Sequence, residues 1–221
     1  MTKDEVRARI QQLAIVPAVR AATDEDALFA AEAVSRGGLP IVELTLTVPK
    51  ATELIAHLIK KHPHMVVGAG TVLDLETARA CLAAGARFIS GPGLDLEILD
   101  FTVQAGVVAM PGALTPSEIM AAVKHGADFV KIYPCSQVGG VEYIHALKRP
   151  FPNVAFVAAG GVNQQTAGQY LEAGATAVGI GRDLIPPRAI ASRESPWIEE
   201  LAKRYVHTVK YLRRDASQAL H

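Results

Sequence analysis

Two charged residues sit in places where charge is costly. Lys131 lies inside the run Phe129-Val130-Lys131-Ile132-Tyr133, and Glu43 inside Ile41-Val42-Glu43-Leu44-Thr45-Leu46. Both runs are apolar on either side of the charge, so both side chains are bound for an interior. Burial there is disfavoured unless the charge finds a partner. Desolvation favours the neutral amine of a buried lysine. A neutral lysine is the residue type that forms Schiff bases with carbonyl substrates. A buried glutamate opposite it is a base with a proton to move. The same two residues would also serve as a structural ion pair, although a lysine on a central strand cannot easily snorkel to water. Strand alternation puts Thr45 and Thr47 on the face of Glu43.

Other runs end in groups suited to binding. Gly68-Ala69-Gly70-Thr71 offers two glycines for close backbone approach and a hydroxyl for a carboxylate or carbonyl. Arg20 closes an otherwise apolar run, placed for a bidentate clamp on a carboxylate or phosphate. Gly160-Gly161 and Gly179-Ile180-Gly181-Arg182 follow the last two runs, where backbone N–H groups can hold a phosphate. Tight turns and a surface salt bridge are the plainer readings of these residues. Ser90-Gly91-Pro92-Gly93 and Met110-Pro111-Gly112 read as rigid rims, with no chemistry of their own. The histidines form no metal constellation, and no P-loop, zinc-helix or nucleophile-elbow motif is present.

These residues need elements to position them. Eight short apolar runs, at 15–20, 39–46, 65–70, 87–90, 107–110, 129–133, 154–158 and 177–180, do not alternate with polar residues. Such runs suit strands buried on both faces of a parallel sheet. Amphipathic segments lie between them, with cap residues at their ends. Thr23 and Gly37-Gly38 bound one, Asp74 and Gly85 another. Thr115-Pro116-Ser117-Glu118 and Gly126 bound a third, and Asn163 and Gly174 a fourth. The phrases Ala84-Gly85-Ala86, His125-Gly126-Ala127 and Ala173-Gly174-Ala175 recur at the helix-to-strand joint. Eight repeats of strand plus helix predict an α/β fold, a single-domain (β/α)8 TIM barrel over about 15–190. Added helices are expected at about 2–13 and 196–213. An open doubly wound sheet is the rival, but it usually has about five or six strands.

The 221 residues include 22 basic and 22 acidic side chains, so the formal net charge is zero. That disfavours nucleic acid as a partner, because phosphate contacts need a basic excess. No apolar run approaches the roughly 20 residues that span a bilayer, so no membrane role is expected. The charged N-terminal stretch has no signal-peptide core. Two well-separated cysteines suit a reducing cytoplasm.

Taken in order, Val42-Glu43-Leu44-Thr45-Leu46, Gly68-Ala69-Gly70-Thr71-Val72, Ser90-Gly91-Pro92-Gly93, Pro111-Gly112, Lys131-Ile132-Tyr133-Pro134, Gly160-Gly161 and Gly179-Ile180-Gly181 carry a family resemblance. Over roughly residues 10–190 the chain resembles the 2-keto-3-deoxy-6-phosphogluconate (KDPG) and 4-hydroxy-2-oxoglutarate (KHG) aldolases. The resemblance implies a homotrimeric barrel and a class I aldolase that needs no metal or cofactor and releases pyruvate and an aldehyde. It casts Lys131 as the Schiff-base lysine and Glu43 as the general acid/base. It puts Thr71 and Pro92 at pyruvate-binding positions, and Gly160, Gly161 and Gly181 at a phosphate site. Thr47 stands where many relatives carry a carboxylate-binding arginine. Together with Arg20 it is more similar to the 2-keto-3-deoxy-6-phosphogalactonate branch. Arg20 is therefore expected on the substrate carboxylate, and Arg182 on the phosphate. The rivals to this reading are a phosphate-binding isomerase or epimerase, an inactive binding homologue, and a scaffold.

Overall fold

Each apolar run forms a strand at its expected place. The computed structural model describes residues 1–218, with side chains as far as Arg214. The strands are β1 (Ile15–Val19), β2 (Ile41–Thr45), β3 (Val66–Gly70), β4 (Phe88–Ser90), β5 (Val108–Met110), β6 (Gly112–Ala113), β7 (Val130–Ile132), β8 (Phe156–Ala159) and β9 (Ala177–Ile180). All their pairings are parallel, in the order β5-β4-β3-β2-β1-β9-β8-β7-β6. The ninth segment is not a ninth unit. β5 and β6 are two halves of one strand, broken at Pro111, which has no N–H to give to a ladder. Its carbonyl still accepts from the Lys131 amide at 2.9 Å, and that of Ala109 from the Phe129 amide at 3.2 Å. The sheet thus closes between its fifth and sixth strands into the (β/α)8 barrel.

The helices between strands are α2 (Asp24–Arg36), α3 (Ala51–Lys61), α4 (Leu75–Ala83), α5 (Leu96–Gln104), α6 (Pro116–Lys124), α7 (Gly140–Lys148) and α8 (Ala167–Glu172). Their starts follow from hydrogen bonding. Thr23, Asp74 and Asp95 each accept from the amide three residues on, and Thr115 does so within a full capping box with Glu118. Gly85, Gly126 and Gly174 take the left-handed conformation that lets the chain turn sharply into the next strand.

Three boundaries differ from expectation. Helix α8 starts later than Asn163, because the Asn163 carboxamide accepts from the amides of Gln165 and Thr166, each at 3.0 Å, and so holds a turn ahead of the helix. A short helix α9 (Pro187–Ala191) intervenes where no helix is expected, and α10 (Ser195–Gln218) outruns the expected 196–213.

The leading helix α1 (Lys3–Leu13), capped by Thr2, plugs one end of the barrel. Its Val6 and Ile10 pack with Val16, Ile41, Val66 and Phe129, the inward residues at the amino ends of their strands. Full burial of side chains this size stabilises by roughly 1.5–3 kcal/mol each. Gly68 shows how the interior fills. A Cβ there would fall on the Phe88 ring, so the missing side chain is the space that the phenyl occupies. Among the described residues, no helix is long and apolar enough to cross a membrane.

Candidate active site

Above this apolar plug the interior turns polar. Register puts Glu43 beside Ala18 and Gly68, and Lys131 beside Gly112 and Val157, all facing the barrel axis. The two side chains meet across the barrel. Lys131 Nζ lies 3.1 and 3.0 Å from the two carboxylate oxygens of Glu43. It also donates to Ser90 Oγ at 3.0 Å. Lys131 is only 7% exposed, Glu43 2% and Ser90 fully buried. A charge-assisted contact between two such groups satisfies both and hands a proton readily from one to the other. This end of the pocket thus holds an amine, a carboxylate able to take its proton, and a neutral hydroxyl on the same nitrogen.

Gly70 explains how Glu43 reaches that position. A Cβ at residue 70 would fall on the Glu43 carboxyl group. The two glycines of β3 therefore admit protein side chains, Phe88 over Gly68 and Glu43 over Gly70, where sequence reasoning had them admit a ligand. Gly70→Ala should push the carboxylate off Lys131 while leaving the barrel folded. Misplacement of a reacting group by about 1 Å costs on the order of 10²-fold in rate. A kcat within a few-fold of the parent enzyme would show that the Glu43 position is not set here.

The Lys131–Glu43 pair opens into a cavity of about 650 Å³. Its walls include Arg20, Tyr133, Gly160, Gly161, Gly181, Arg182 and Asp183. Gly160 and Gly161 have φ of 84° and 83°, a left-handed pair that side chains rarely adopt. Space also forbids a side chain at Gly161, because its Cβ would collide with the Ser136 hydroxyl. Arg20 lies at the same end: a Cβ on Gly181 would stand 3.0 Å from its Nη1. Arg20, Gly181 and Arg182 also line a second cavity of about 340 Å³ beside the first.

Of the residues singled out in the sequence, Lys131, Glu43, Arg20, Gly160, Gly161, Gly181 and Arg182 thus share one cavity. Thr47, Thr71 and Pro92 are not among its lining residues. Thr47 is exposed, and its hydroxyl meets that of Thr45 at 2.7 Å. Thr45 in turn donates to the Val19 carbonyl at 3.0 Å. Thr71 follows Gly70, the last residue of β3, with a φ of 60°, strained for a β-branched residue.

Two site residues escaped the sequence reading. Ser90 was read as part of a rigid rim, yet two-residue alternation from Phe88 already points it inward. Asp183 gave no signal, because its partners come from distant parts of the chain. The two thiols are poor nucleophiles: burial pushes Cys81 and Cys135 up to about 11. Among the described residues, no three His, Cys, Asp or Glu side chains gather to hold a metal ion.

Comparison with known proteins agrees with this geometry. Residues 6–201 match the family model for KDPG and KHG aldolase. The chain is 35% identical over 179 residues to 2-dehydro-3-deoxy-phosphogluconate aldolase of Pseudomonas aeruginosa, covering 81% of each protein. It is 30% identical over 201 residues to 2-dehydro-3-deoxy-6-phosphogalactonate aldolase of Escherichia coli, covering 90% of this chain and 98% of that one. Among solved structures, the KDPG aldolase of Legionella pneumophila, with pyruvate captured as a covalent carbinolamine, superposes with a TM-score of 0.82 at 31% identity, covering 90% of this chain and 96% of that one. With a lysine–carboxylate pair in a (β/α)8 barrel and a family match across most of its length, the chain belongs to the KDPG and KHG aldolase family.

Proposed function

We propose that the protein is a class I aldolase that cleaves a 6-phosphorylated 2-keto-3-deoxy sugar acid to pyruvate and glyceraldehyde 3-phosphate. The observation that carries this reading is the buried contact of Lys131 with both Glu43 oxygens, at the floor of a cavity lined by Arg20, Arg182 and the glycine turns. KDPG is the first candidate substrate, and its galactonate epimer the second. KHG, which would yield glyoxylate, is the unphosphorylated one.

The chemistry follows from the contacts. Lys131 passes a proton to Glu43, and its free amine attacks the C2 carbonyl to give a carbinolamine. Glu43 returns a proton to the C2 oxygen, which leaves as water, and a protonated imine remains. Glu43 then takes the C4 hydroxyl proton. The C3–C4 bond breaks, its electron pair flows to the iminium nitrogen, and the aldehyde leaves. Protonation of the enamine at C3 and hydrolysis free pyruvate and restore Lys131. Ser90 keeps a hydrogen-bonding partner on the nitrogen through these steps. The iminium polarises the substrate as a Lewis acid otherwise would.

The two anions of the substrate need separate donors. The position of Arg20 against Gly181 favours a change from the sequence-based assignment. Arg20 and Arg182, with the amides of Gly160, Gly161 and Gly181, hold the distal phosphate. Thr71 and Pro92, at the ends of β3 and β4, serve the pyruvyl half. A lost charge-assisted hydrogen bond costs roughly 1.5–3 kcal/mol, or about 10–150-fold in binding. Arg20→Ala and Arg182→Ala should each raise KM for phosphorylated substrates in that range and leave KHG cleavage near normal. If Arg20→Ala damages KHG cleavage as much as KDPG cleavage, Arg20 belongs to the carboxylate instead.

Assembly as a homotrimer is part of the same reading. Leu73, in the third unit of the barrel, and Met120 and Val123, on α6 of the fifth, stand 65%, 63% and 46% exposed, apolar area that an interface would cover. Two unpaired thiols suit a cytoplasmic enzyme. A cleavage screen over KDPG, its galactonate epimer and KHG, read by coupled pyruvate detection, tests the whole proposal. Borohydride reduction in the presence of pyruvate adds the decisive arm, because only an imine becomes a covalent adduct. A chain that turns over sugar phosphates without forming any adduct is an isomerase or epimerase.

A further inference from the structure

A carboxylate among the walls of an anion site calls for explanation. Asp183 directly follows Arg182 and lines the same cavity as Gly160, Gly161 and Gly181. Aimed at a phosphate it would repel it. Its Oδ2 oxygen is instead engaged by two donors from elsewhere in the chain. One is the backbone amide of Gln164, at 2.9 Å, just past the Gly160-Gly161 turn. The other is the hydroxyl of Tyr205, which makes a short hydrogen bond to the same oxygen. Tyr205 is fully buried on α10, the long helix that follows the eight units.

We infer that Asp183 and Tyr205 are a positioning pair that fixes the two glycine loops relative to each other, and so sets the affinity of the site for a phosphate. This rests on the phosphate site proposed above. The loop after β8 contains two consecutive left-handed glycines, and glycine-rich backbone loses the most freedom on being ordered. The loop is held at its near end, where the Gly160 carbonyl accepts from the Ser136 amide at 3.0 Å, and at its far end, where the Asn163 amide donates to Thr166 Oγ1 at 3.1 Å. The bond from Gln164 to Asp183 is the tie between this loop and the one after β9. Tyr205 anchors that tie to α10. Burial first, then the bond to Asp183, push the Tyr205 hydroxyl up, so it remains a donor throughout the working range. The geometry therefore lets a helix that carries none of the chemistry decide how well the site grips a phosphorylated substrate.

The test is Tyr205→Phe, which removes one oxygen and keeps the buried ring. Inorganic phosphate, titrated calorimetrically, is the probe that does not depend on turnover. The variant should bind it about tenfold more weakly than the parent, as expected for one lost hydrogen bond to a charged group. KM for the 6-phosphorylated substrate should rise by a similar factor with kcat kept. KM and kcat for KHG should not change. Asp183→Asn keeps one acceptor oxygen and should fall between the parent and Tyr205→Phe; if Tyr205→Phe folds poorly, weaker phosphate binding by Asp183→Asn than by the parent is the reading that remains. An unchanged phosphate affinity, a parent chain that binds no phosphate, or an equal loss on both substrates would each overturn the proposal. Failure of the aldolase reading looks different: the parent cleaves neither substrate, while the phosphate titration still reports on the pair.

Discussion

Lys131→Met should leave a folded barrel with no measurable aldol cleavage. Methionine has nearly the volume of lysine and no nucleophile, so the packing of β7 survives while the imine cannot form. The loss should exceed that from any other single substitution, because among the described residues no other amine contacts Glu43 within the barrel. The substitution has a second consequence. Glu43, only 2% exposed, keeps no cation beside it, and an unpaired buried carboxylate is disfavoured. The variant should therefore melt at a lower temperature than the parent while staying folded at the assay temperature. Mass spectrometry after borohydride reduction with pyruvate should place the adduct on Lys131 in the parent and find none in the variant. An adduct on Lys124 or Lys148 would transfer the role to another lysine.

Glu43→Gln should come next in severity. A positioned acid/base group typically contributes about 10²–10⁴-fold in rate. The amide keeps the shape of the side chain over Gly70 and can still accept a hydrogen bond from Lys131. It can neither take the proton of the ammonium nor remove the one on the C4 hydroxyl. Imine formation with pyruvate should therefore persist slowly, while cleavage falls by the full factor. Comparing the rate of borohydride trapping with kcat separates the two steps. Turnover near that of the parent would take Glu43 out of the mechanism.

The sequence reading succeeded for the strands and for most of the helix starts. Eight apolar runs became eight strands because burial on both faces demands continuous hydrophobicity, and caps such as Thr23 and Thr115 marked helix starts because orphan amides need acceptors. Lys131 and Glu43 stood out because charge in such runs is costly. What escaped was set by distance in space. Gly68 and Gly70 looked like ligand-facing glycines, and only the packed interior shows Phe88 and Glu43 in their place. Arg20 was expected on the substrate carboxylate; it is its nearness to Gly181, some 160 residues on, that favours the phosphate, and no local pattern reports that nearness. Asp183 depends on Tyr205, so nothing in its own surroundings in the chain marked it.

The stopper formed by α1 has a consequence for traffic. With Val6 and Ile10 filling the amino end, the site cavity opens at the carboxyl ends of the strands. Substrate, water and both products pass the same rim, where the glycine loops lie. Departure must then be sequential. When the C3–C4 bond breaks, the aldehyde half is the one nearest the doorway and is free to go. In the proposed reaction the three-carbon remnant would stay behind, tied to Lys131 at the floor until water arrives through the space just vacated. Closing one end of the barrel thus imposes an order on release, with the covalent bond serving as the latch.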